Sequence, residues 1–419
     1  MWPERRPRLF YGYYLVAVTF VFMTLFNGSG VFVFSLFLRP LEAALGWARA
    51  EVMAGFTIFY ATMGLASPAV GRVVDRYGAR AVITAGAIVM GLGFVIVSRM
   101  SHLYLFYLAY VIVGIGAAGL GPVPCSAIIS NWFKRNRGLA LGLMAAGIGA
   151  GGVVMAPFIG YMLSHYHWRD AYLSLAIAVT AVAIPLALVV VRTRPSDMGL
   201  YPDGDDAPTA EETRKNLAAD EAASYTLKQA LKTRAFWFIA LAYAFYGFGS
   251  GGALQTAAPH LEDVGFATAT AAAILGVYGV GSTIGKILSG RLCDNIQANR
   301  VFAIGSALLA SGVLVLLTVG ASSPLILLWT CGAILGLGAG VWLPTLSMLT
   351  GLHFGLLHYG TILGVLNICM SLGLSVGPLF SGFMHDATGS YVSAFTIFAT
   401  MLFLAIPAIL LARRPLTRD

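Results

Sequence analysis

A lysine inside a long apolar stretch is the residue with the clearest chemical role in this sequence. Lys286 follows Tyr278 and Ser282 at intervals of four residues, in an apolar run that carries no other charge until Arg291. Such intervals place the three side chains on one face of a helix. A charge at membrane depth costs roughly 2.5–3.5 kcal/mol on insertion scales and marks a functional site by default. We therefore expect this polar stripe to bind an anion.

The composition places the stripe in a membrane. Of the 419 residues, 58% are hydrophobic and 11% are charged, and the mean hydropathy is +0.81, whereas soluble domains carry about 25% charged residues. The net charge of +8 is explained by Lys and Arg in cytoplasmic loops, so no nucleic acid is expected as a partner. The four cysteines lack metal-ligand spacing, and no nucleophile–base pair or phosphate loop is recognisable. We expect no enzyme, no metal site and no cofactor.

Apolar stretches of about 20 residues, the length that crosses a bilayer, recur along the chain. They predict an all-α membrane protein with twelve transmembrane helices. The predicted spans cover residues 11–37, 51–74, 81–100, 103–130, 138–164, 170–192, 235–259, 268–292, 301–320, 324–350, 360–384 and 390–412.

The basic residues predict the orientation of these spans. With the N-terminus in the cytoplasm, four of the 26 Lys and Arg residues fall outside, namely Arg39, Arg49, Arg99 and Arg169, and Lys286 falls within the membrane. Lys and Arg are enriched in cytoplasmic loops. We therefore predict a multi-pass protein of the cell membrane, in a bacterial inner membrane, with both termini cytoplasmic.

The two halves of the chain repeat each other. Gly71-Arg-Val-Val-Asp75 follows the second span, and Gly290-Arg-Leu-Cys-Asp294 follows the eighth. This predicts two pseudo-symmetric six-helix bundles, residues 1–192 and 235–419, joined by a cytoplasmic linker over residues 193–234 that is rich in acidic residues. Parallel-repeat transporters bind substrate between such halves near the midplane. We expect the protein to function as a monomer in the lipid bilayer.

The segment from Gly71 to Arg80 resembles the motif between spans two and three of the major facilitator superfamily. The resemblance implies a gate at the cytoplasmic helix ends. An acid beside several guanidinium groups can form bidentate ion pairs there. The expected gating residues are Asp75, Arg76, Arg80, Arg135, Arg137 and Asp294.

A second motif, from Trp132 to Gly147, resembles the span 4–5 signature of the monocarboxylate transporter family, and bacterial oxalate/formate-type antiporters are similar. The resemblance implies transport of a small carboxylate such as lactate or pyruvate, often with a proton. It also implies that a cation four residues before Gly290 binds the carboxylate. Those families have an Arg there, whereas Lys286 presents an ammonium, which is a point charge and not a bidentate fork.

Departures from these families bear on the substrate. Animal monocarboxylate transporters carry an Asp where this chain has Ser282, and a Lys in span one where it has Phe32. Oxalate exchangers carry a second cation in span eleven, which aligns with Leu366. A single Lys cannot neutralise two desolvated carboxylates, so we expect a monoanion as the substrate.

Other polar residues within the spans could complete the pocket. The expected substrate-binding residues are Lys286, Ser282, Tyr278, Asn27, Asn367, Cys369 and Trp342. For each of the last four, a role in helix packing is an equal alternative, and for Lys286 the alternative is an ammonium that extends to cytoplasmic water. The expected proton-coupling groups are Lys286, whose charged form is disfavoured by desolvation, and His260 and Asp263 at the outer end of span seven.

Proton-linked symport of monocarboxylates is the first functional hypothesis. The second is a carboxylate exchanger of the oxalate/formate type, which counterflow without a pH gradient would reveal. A non-transporting sensor is a further alternative, although the linker resembles no effector domain. The absence of Asp and Glu in the middle of the spans argues against a cation exporter, because a cation needs a buried counter-charge.

Overall fold

The computed structural model of this protein describes residues 10–205 and 224–414, and within them the chain is helical and forms no strand. Span 1 begins as an α-helix and then changes its hydrogen-bond pattern. The spans in chain order are span 1 (Tyr11–Asn27, a π-helical turn Gly28–Phe32, a 3-10 turn Phe34–Phe37 and a helix Leu38–Leu45), span 2 (Arg49–Tyr77), span 3 (Ala79–Arg99), span 4 (Leu103–Leu120 and Pro122–Trp132), span 5 (Arg137–His165), span 6 (Trp168–Val189), span 7 (Arg234–Asp263), span 8 (Thr268–Asn295), span 9 (Ala298–Thr318), span 10 (Leu325–Ala339 and Trp342–Phe354), span 11 (Tyr359–Thr388) and span 12 (Val392–Leu411).

The lengths of these helices match a bilayer. The described residues include twelve helical spans long and apolar enough to cross a membrane, which confirms the predicted all-α fold. A helix suits this environment because it satisfies its own backbone hydrogen bonds where no water is present. Large apolar side chains also lie on the surface: Val189 is 70% exposed and Ile326 is 71% exposed. Such a surface is adapted to lipid.

The spans pack in the same pattern in both halves. In the first half, span 1 packs on span 5, span 2 on span 4, and span 3 on spans 4 and 6. In the second half, span 7 packs on span 11, span 8 on span 10, and span 9 on spans 10 and 12. Because each pair recurs six spans later, the structure contains two pseudo-symmetric six-helix bundles. The domain limits at residues 192 and 235 stay a prediction.

Glycines bring the two halves together, at the contacts of span 2 with span 11 and of span 5 with span 8. A Cβ on Gly71 would lie 1.9 Å from the carbonyl oxygen of Gly360, and one on Gly138 would lie 2.2 Å from that of Gly290. Three glycines lie nearer the other end of these spans. A Cβ added to any of them would have no heavy atom within 4 Å, as at Gly160, Gly276 and Gly382. The halves therefore touch at one end of the bundle and open toward the other.

We name the closed end the linker face, because the chain between the halves lies there. The Trp132 indole donates to the carbonyl of Arg192 at 2.9 Å, which ties the end of span 4 to the end of span 6. In the second half, the N–H of Tyr225 donates to the carbonyl of Phe354 at 2.9 Å. Residues 206–223 of the predicted linker lie outside the described residues. We name the other end of the bundle the open face.

Candidate functional site

Lys286 is buried in span 8, and its ammonium points away from the linker face. The residue is 2% exposed. Its Nζ donates to the hydroxyl of Ser282 at 2.5 Å and to the Ser282 carbonyl at 3.3 Å. Span 8 runs toward the linker face and Ser282 lies one turn earlier, so the side chain points toward the open face. The structure therefore does not place the Lys286 ammonium in water at the linker face, which was the alternative to substrate binding.

Lys286 also has no acidic partner in the part of the chain that the structure describes. Across residues 10–205 and 224–414, no carboxylate forms an ion pair with its Nζ. Both of its hydrogen bonds go to Ser282, and an ammonium has three N–H donors. One donor thus remains for a ligand. A buried charge without a counter-charge is costly in a bilayer and is typical of a site that receives an anion.

The backbone around Lys286 is held by glycines of two neighbouring spans. A Cβ on Gly142 of span 5 would lie 2.5 Å from the carbonyl oxygen of Lys286, and one on Gly340 of span 10 would lie 2.6 Å from its backbone nitrogen. Span 5 belongs to the first half and span 10 to the second. Lys286 therefore lies where the two halves touch, so a movement of one half against the other alters its surroundings.

Tyr278 lies one turn before Ser282 toward the open face, as the spacing predicts. The phenols of Tyr60 on span 2 and of Tyr246 on span 7 are close enough to interact with it electrostatically. Tyr246 donates its hydroxyl to the Gly338 carbonyl at 2.7 Å. The hydroxyls of Tyr60 and Tyr278 have no hydrogen-bond partner in the described part of the chain. Two free phenols, one from each half, thus lie on the open-face side of the site.

Tyr60 was missed by the sequence analysis. Its ring packs against Phe56 and Phe59 of its own helix, with centroids 5.0 and 5.4 Å apart. In sequence, such an aromatic cluster is typical of core packing and gives no sign of a ligand site. Its proximity to span 8 depends on how the halves pack, which no local pattern encodes.

The structure does not connect Asn27, Trp342 or Cys369 to Lys286 by hydrogen bonds. Asn27 donates to the carbonyl of Ile148 on span 5 at 3.2 Å, where span 1 changes from an α-helix to a π-helical turn. Such turns are frequent at functional sites. Trp342 and Cys369 are half-buried. The binding roles of these three residues stay predictions.

Asn367 joins the two halves. Its Nδ2 donates to the hydroxyl of Ser67 on span 2 at 3.1 Å, and both residues are buried. The interval from Ser67 to Lys286 equals that from Asp75 to Asp294, so Ser67 is the counterpart of Lys286 in the first repeat. One half therefore carries a cation at this depth and the other a neutral hydroxyl. Ser67 was not among the predicted site residues, although the repeat would have located it.

The other expected proton-coupling groups lie at the open face. His260 is buried, with its Nε2 3.2 Å from the Leu316 carbonyl oxygen. Asp263 pairs with His385 of span 11, with Oδ2 3.3 Å from Nε2. Lys286 lies about 18 residues into span 8, roughly 27 Å along its axis. The structure thus brings Asp263 to His385, which the sequence analysis missed, and not to Lys286.

Two carboxylates of the repeated motif bind helix N-termini of the opposite half. Asp75 accepts from the N–H groups of Gly360 and Thr361, each at 2.8 Å, and from the Thr361 hydroxyl at 2.6 Å. Asp294 accepts from the N–H of Gly138 at 2.6 Å and from the next N–H at 2.9 Å. The first amides of a helix lack intrahelical partners and carry partial positive charge. We name these two contacts the carboxylate gate.

The arginines expected at this gate make other contacts. The guanidinium of Arg76 lies 5.2 Å from the centroid of the neighbouring tyrosine ring, and Arg80 donates to a carbonyl at the end of span 6. Arg135 pairs with acids of the linker, and Arg137 donates its Nε to the carbonyl four residues earlier at 2.9 Å. The partners of Asp75 are backbone amides and a hydroxyl, not the expected guanidiniums, because the packed glycines bring helix N-termini directly to the acids.

Twelve spanning helices within the described residues, in two repeated halves closed at one end around a buried ammonium, define a membrane transporter and not an enzyme. The sequence profile of the Major Facilitator Superfamily matches residues 20–354 and 240–419. The chain therefore belongs to the major facilitator superfamily.

Its curated relatives include monocarboxylate transporters. Monocarboxylate transporter 11 of Homo sapiens is 31% identical over 351 residues, which cover 80% of this chain and 69% of the relative. Monocarboxylate transporter 13 of Bos taurus is 26% identical over 378 residues, 88% of this chain and 82% of the relative. The resemblance inferred from the motifs is thus confirmed over most of the chain.

Solved structures share the fold. The outward conformation of the superfamily transporter FucP has a TM-score of 0.69 and 16% identity, and the match covers 96% of this chain and 99% of that one. The human organic anion transporter MFSD10 has a TM-score of 0.73 and 15% identity, and the match covers 97% of this chain and 100% of that one. These matches confirm the fold and carry no information about the substrate.

Proposed function

We propose that this protein is a secondary active transporter of small monocarboxylates such as lactate and pyruvate, with Lys286 binding the carboxylate. The observation that carries the proposal is a buried ammonium that has no acidic partner within residues 10–205 and 224–414 and points toward the open face. The relatives named monocarboxylate transporters support this class of substrate.

The polar stripe of span 8 suits one carboxylate. Lys286 supplies the charge, and the hydroxyl of Ser282 can rotate to donate or accept. The phenols of Tyr278 and Tyr60 offer two further donors to a hydroxyl or keto oxygen of the substrate. A lone ammonium does not neutralise two desolvated carboxylates, so the chemistry favours a monoanion.

Proton coupling follows in this proposal from the burial of Lys286. Its ammonium has no acidic partner among the described residues, and a substrate carboxylate supplies the missing counter-charge. The proton and the anion then bind as a neutral pair and cross together. His260 and Asp263 are the alternative proton-coupling groups, and Asp263 is accessible from the open face because its side chain is 55% exposed.

The carboxylate gate gives a basis for alternating access. In the described state Asp75 and Asp294 hold the linker face closed, and opening that face requires both contacts to break. Lys286 lies at the contact between the halves, so substrate bound there can be released on either side. We assign the linker face and both termini to the cytoplasm of a bacterial inner membrane, and the monomer as the functional unit.

Uptake into liposomes tests this function. Loss of one partner of a buried charge pair costs about 3–5 kcal/mol, so Lys286→Gln is expected to lower the affinity for lactate and pyruvate by about a hundredfold or more. Lys286→Arg retains the charge and should retain part of the transport. Lys232→Gln, at an exposed lysine of the linker face, is the matched control.

Two outcomes would change the assignment. Saturable uptake of unchanged affinity in Lys286→Gln would remove Lys286 from the site. Counterflow that needs no pH gradient, without net proton-driven accumulation, would replace symport by exchange of the oxalate/formate type.

A further inference from the structure

The segment after span 6 is bound to the loop between spans 4 and 5 through one carboxylate. Asp203 accepts from the N–H of Lys134 at 3.1 and 3.2 Å and from the N–H of Arg135 at 3.0 Å. Its side chain is 10% exposed and lies 3.7 Å from the Nε of Arg135. Asp205 pairs with the same guanidinium but is 55% exposed. Asp203 is thus the less exposed of the two acids, and only its carboxylate accepts from the loop amides.

The backbone at Asp203 is held in a costly conformation. With φ 60° it is the one non-glycine residue of positive φ among the described residues. L-residues avoid this region, although Asp tolerates it better than most. The following Gly204 also has a positive φ and packs near the ring of Phe10. A conformation of this kind persists only where its surroundings stabilise it, which indicates that the position of the Asp203 carboxylate is specific.

The loop held by Asp203 leads directly into the carboxylate gate. Asp203 binds the amides of Lys134 and Arg135, and Asp294 of the other half binds the amides of Gly138 and the next residue. Two carboxylates therefore bind the two ends of one short stretch of backbone. The first orders the stretch whose amides the second must reach.

The far end of the linker contacts the corresponding loop of the second half through a backbone hydrogen bond. The N–H of Tyr225 donates to the Phe354 carbonyl at 2.9 Å. Gly355 has φ +78°, and a Cβ there would lie 2.3 Å from the hydroxyl of Ser224. This loop precedes span 11, whose first amides bind Asp75. Both loops that present amides to the gate are therefore bound by the chain that joins the halves.

We propose that Asp203 is a positioning residue of the carboxylate gate, and that the linker stabilises the state in which the linker face is closed by holding both gate loops. The proposal concerns the equilibrium between conformations. It holds whichever anion is carried and does not depend on the role of Lys286.

A distance measurement on the full-length protein in liposomes tests this proposal. Tyr77 and Ile296 follow the two repeated motifs, one in each half, and are 64% and 39% exposed. Nitroxide labels attached there through noncanonical amino acids leave the native cysteines intact. The fraction of long distances then reports the opening of the linker face.

Asp203→Ala is expected to raise the fraction of molecules with an open linker face about two- to fivefold. This corresponds to the lower part of the range of about 0.5–2 kcal/mol for loss of a capping side chain. Asp203→Asn retains an acceptor and tolerates the same backbone, so an intermediate shift is expected. Asp205→Asn is the matched control, because it removes a linker charge that binds no amide. Asp203→Ala with the distance distribution of Asp205→Asn would overturn the proposal, as would a loss of thermal stability without a shift in distances.

A double substitution separates positioning from general destabilisation. Asp294→Asn alone should open the linker face. If Asp203 acts through the amides that Asp294 binds, Asp203→Ala should add little in that background, because contacts of one network are not additive. Fully additive shifts would show that the two carboxylates act independently and would contradict the proposed coupling.

Discussion

Replacement of Gly290 by Ala tests whether the linker face closes by direct contact of glycine backbones. A Cβ at this position would lie 2.3 Å from the carbonyl oxygen of Gly138 and 2.8 Å from the Cα of Gly142, both on span 5 of the other half. Both neighbours are backbone atoms, which cannot turn aside as the end of a flexible side chain can. Spans 5 and 8 must therefore separate at this point.

The expected size of the effect follows from that contact. Insertion of a methyl group into a packed interface costs about 1–3 kcal/mol, and this cost applies only when spans 5 and 8 touch. Ala also favours the helix over Gly by about 0.5–1 kcal/mol, but span 8 stays helical in both states and this gain cancels. The equilibrium should shift toward the open linker face by roughly five- to 150-fold, since about 1.36 kcal/mol is a factor of ten.

The assay is the distance between labels at Tyr77 and Ile296. Gly276→Ala is the matched control, because it makes the same change on the same helix at a position with no heavy atom within 4 Å of the added Cβ. Gly290→Ala should populate long distances, and Gly276→Ala should retain the wild-type distribution. Equal distributions in the two variants would refute the argument that glycine contact closes the linker face.

The remaining predictions concern the open-face side of the site. Tyr278→Phe and Tyr60→Phe each remove one phenol oxygen, and loss of a hydrogen bond of about 0.5–1.5 kcal/mol to the hydroxyl of lactate should raise the KM for lactate about two- to tenfold; an unchanged KM in both variants would place these phenols outside the substrate path. Asp263→Asn breaks the pair with His385 and removes a carboxylate that can carry a proton. If Asp263 and not Lys286 carries the coupling proton, this variant should abolish accumulation driven by a pH gradient and leave exchange intact. Coupling through Lys286 leaves accumulation unchanged, and that result would exclude Asp263 from the coupling.

Local features of the sequence were sufficient for the fold. Twelve apolar stretches of bilayer length predict twelve spans whatever their packing, because each helix satisfies its own backbone hydrogen bonds. The face shared by Tyr278, Ser282 and Lys286 follows from helical periodicity alone, and the structure places Ser282 at 2.5 Å from the ammonium. The repeated motif likewise located Asp75 and Asp294, and the structure shows backbone amides donating to both carboxylates, where guanidinium groups were expected.

Contacts between distant segments could not be predicted from such local features of the sequence. Backbone amides bind Asp75 and Asp294, and every residue except proline has such an amide, so no residue type marks the partner. The contacts of Ser67 with Asn367 and of Asp263 with His385 join segments more than a hundred residues apart. Their partners depend on which spans become neighbours.

The sequence by itself thus determined that this chain crosses a membrane twelve times in two repeated halves and carries one cation within the bilayer. Hydrophobic length, periodicity and charge are local quantities, and they suffice for these conclusions. Only the tertiary structure decided that the Lys286 ammonium points toward the open face, that the phenol of Tyr60 lies near that of Tyr278 on the other half, and that Asp203 holds a loop of the gate. These features arise from packing between the halves, where the close approach of glycine backbones sets which polar groups meet.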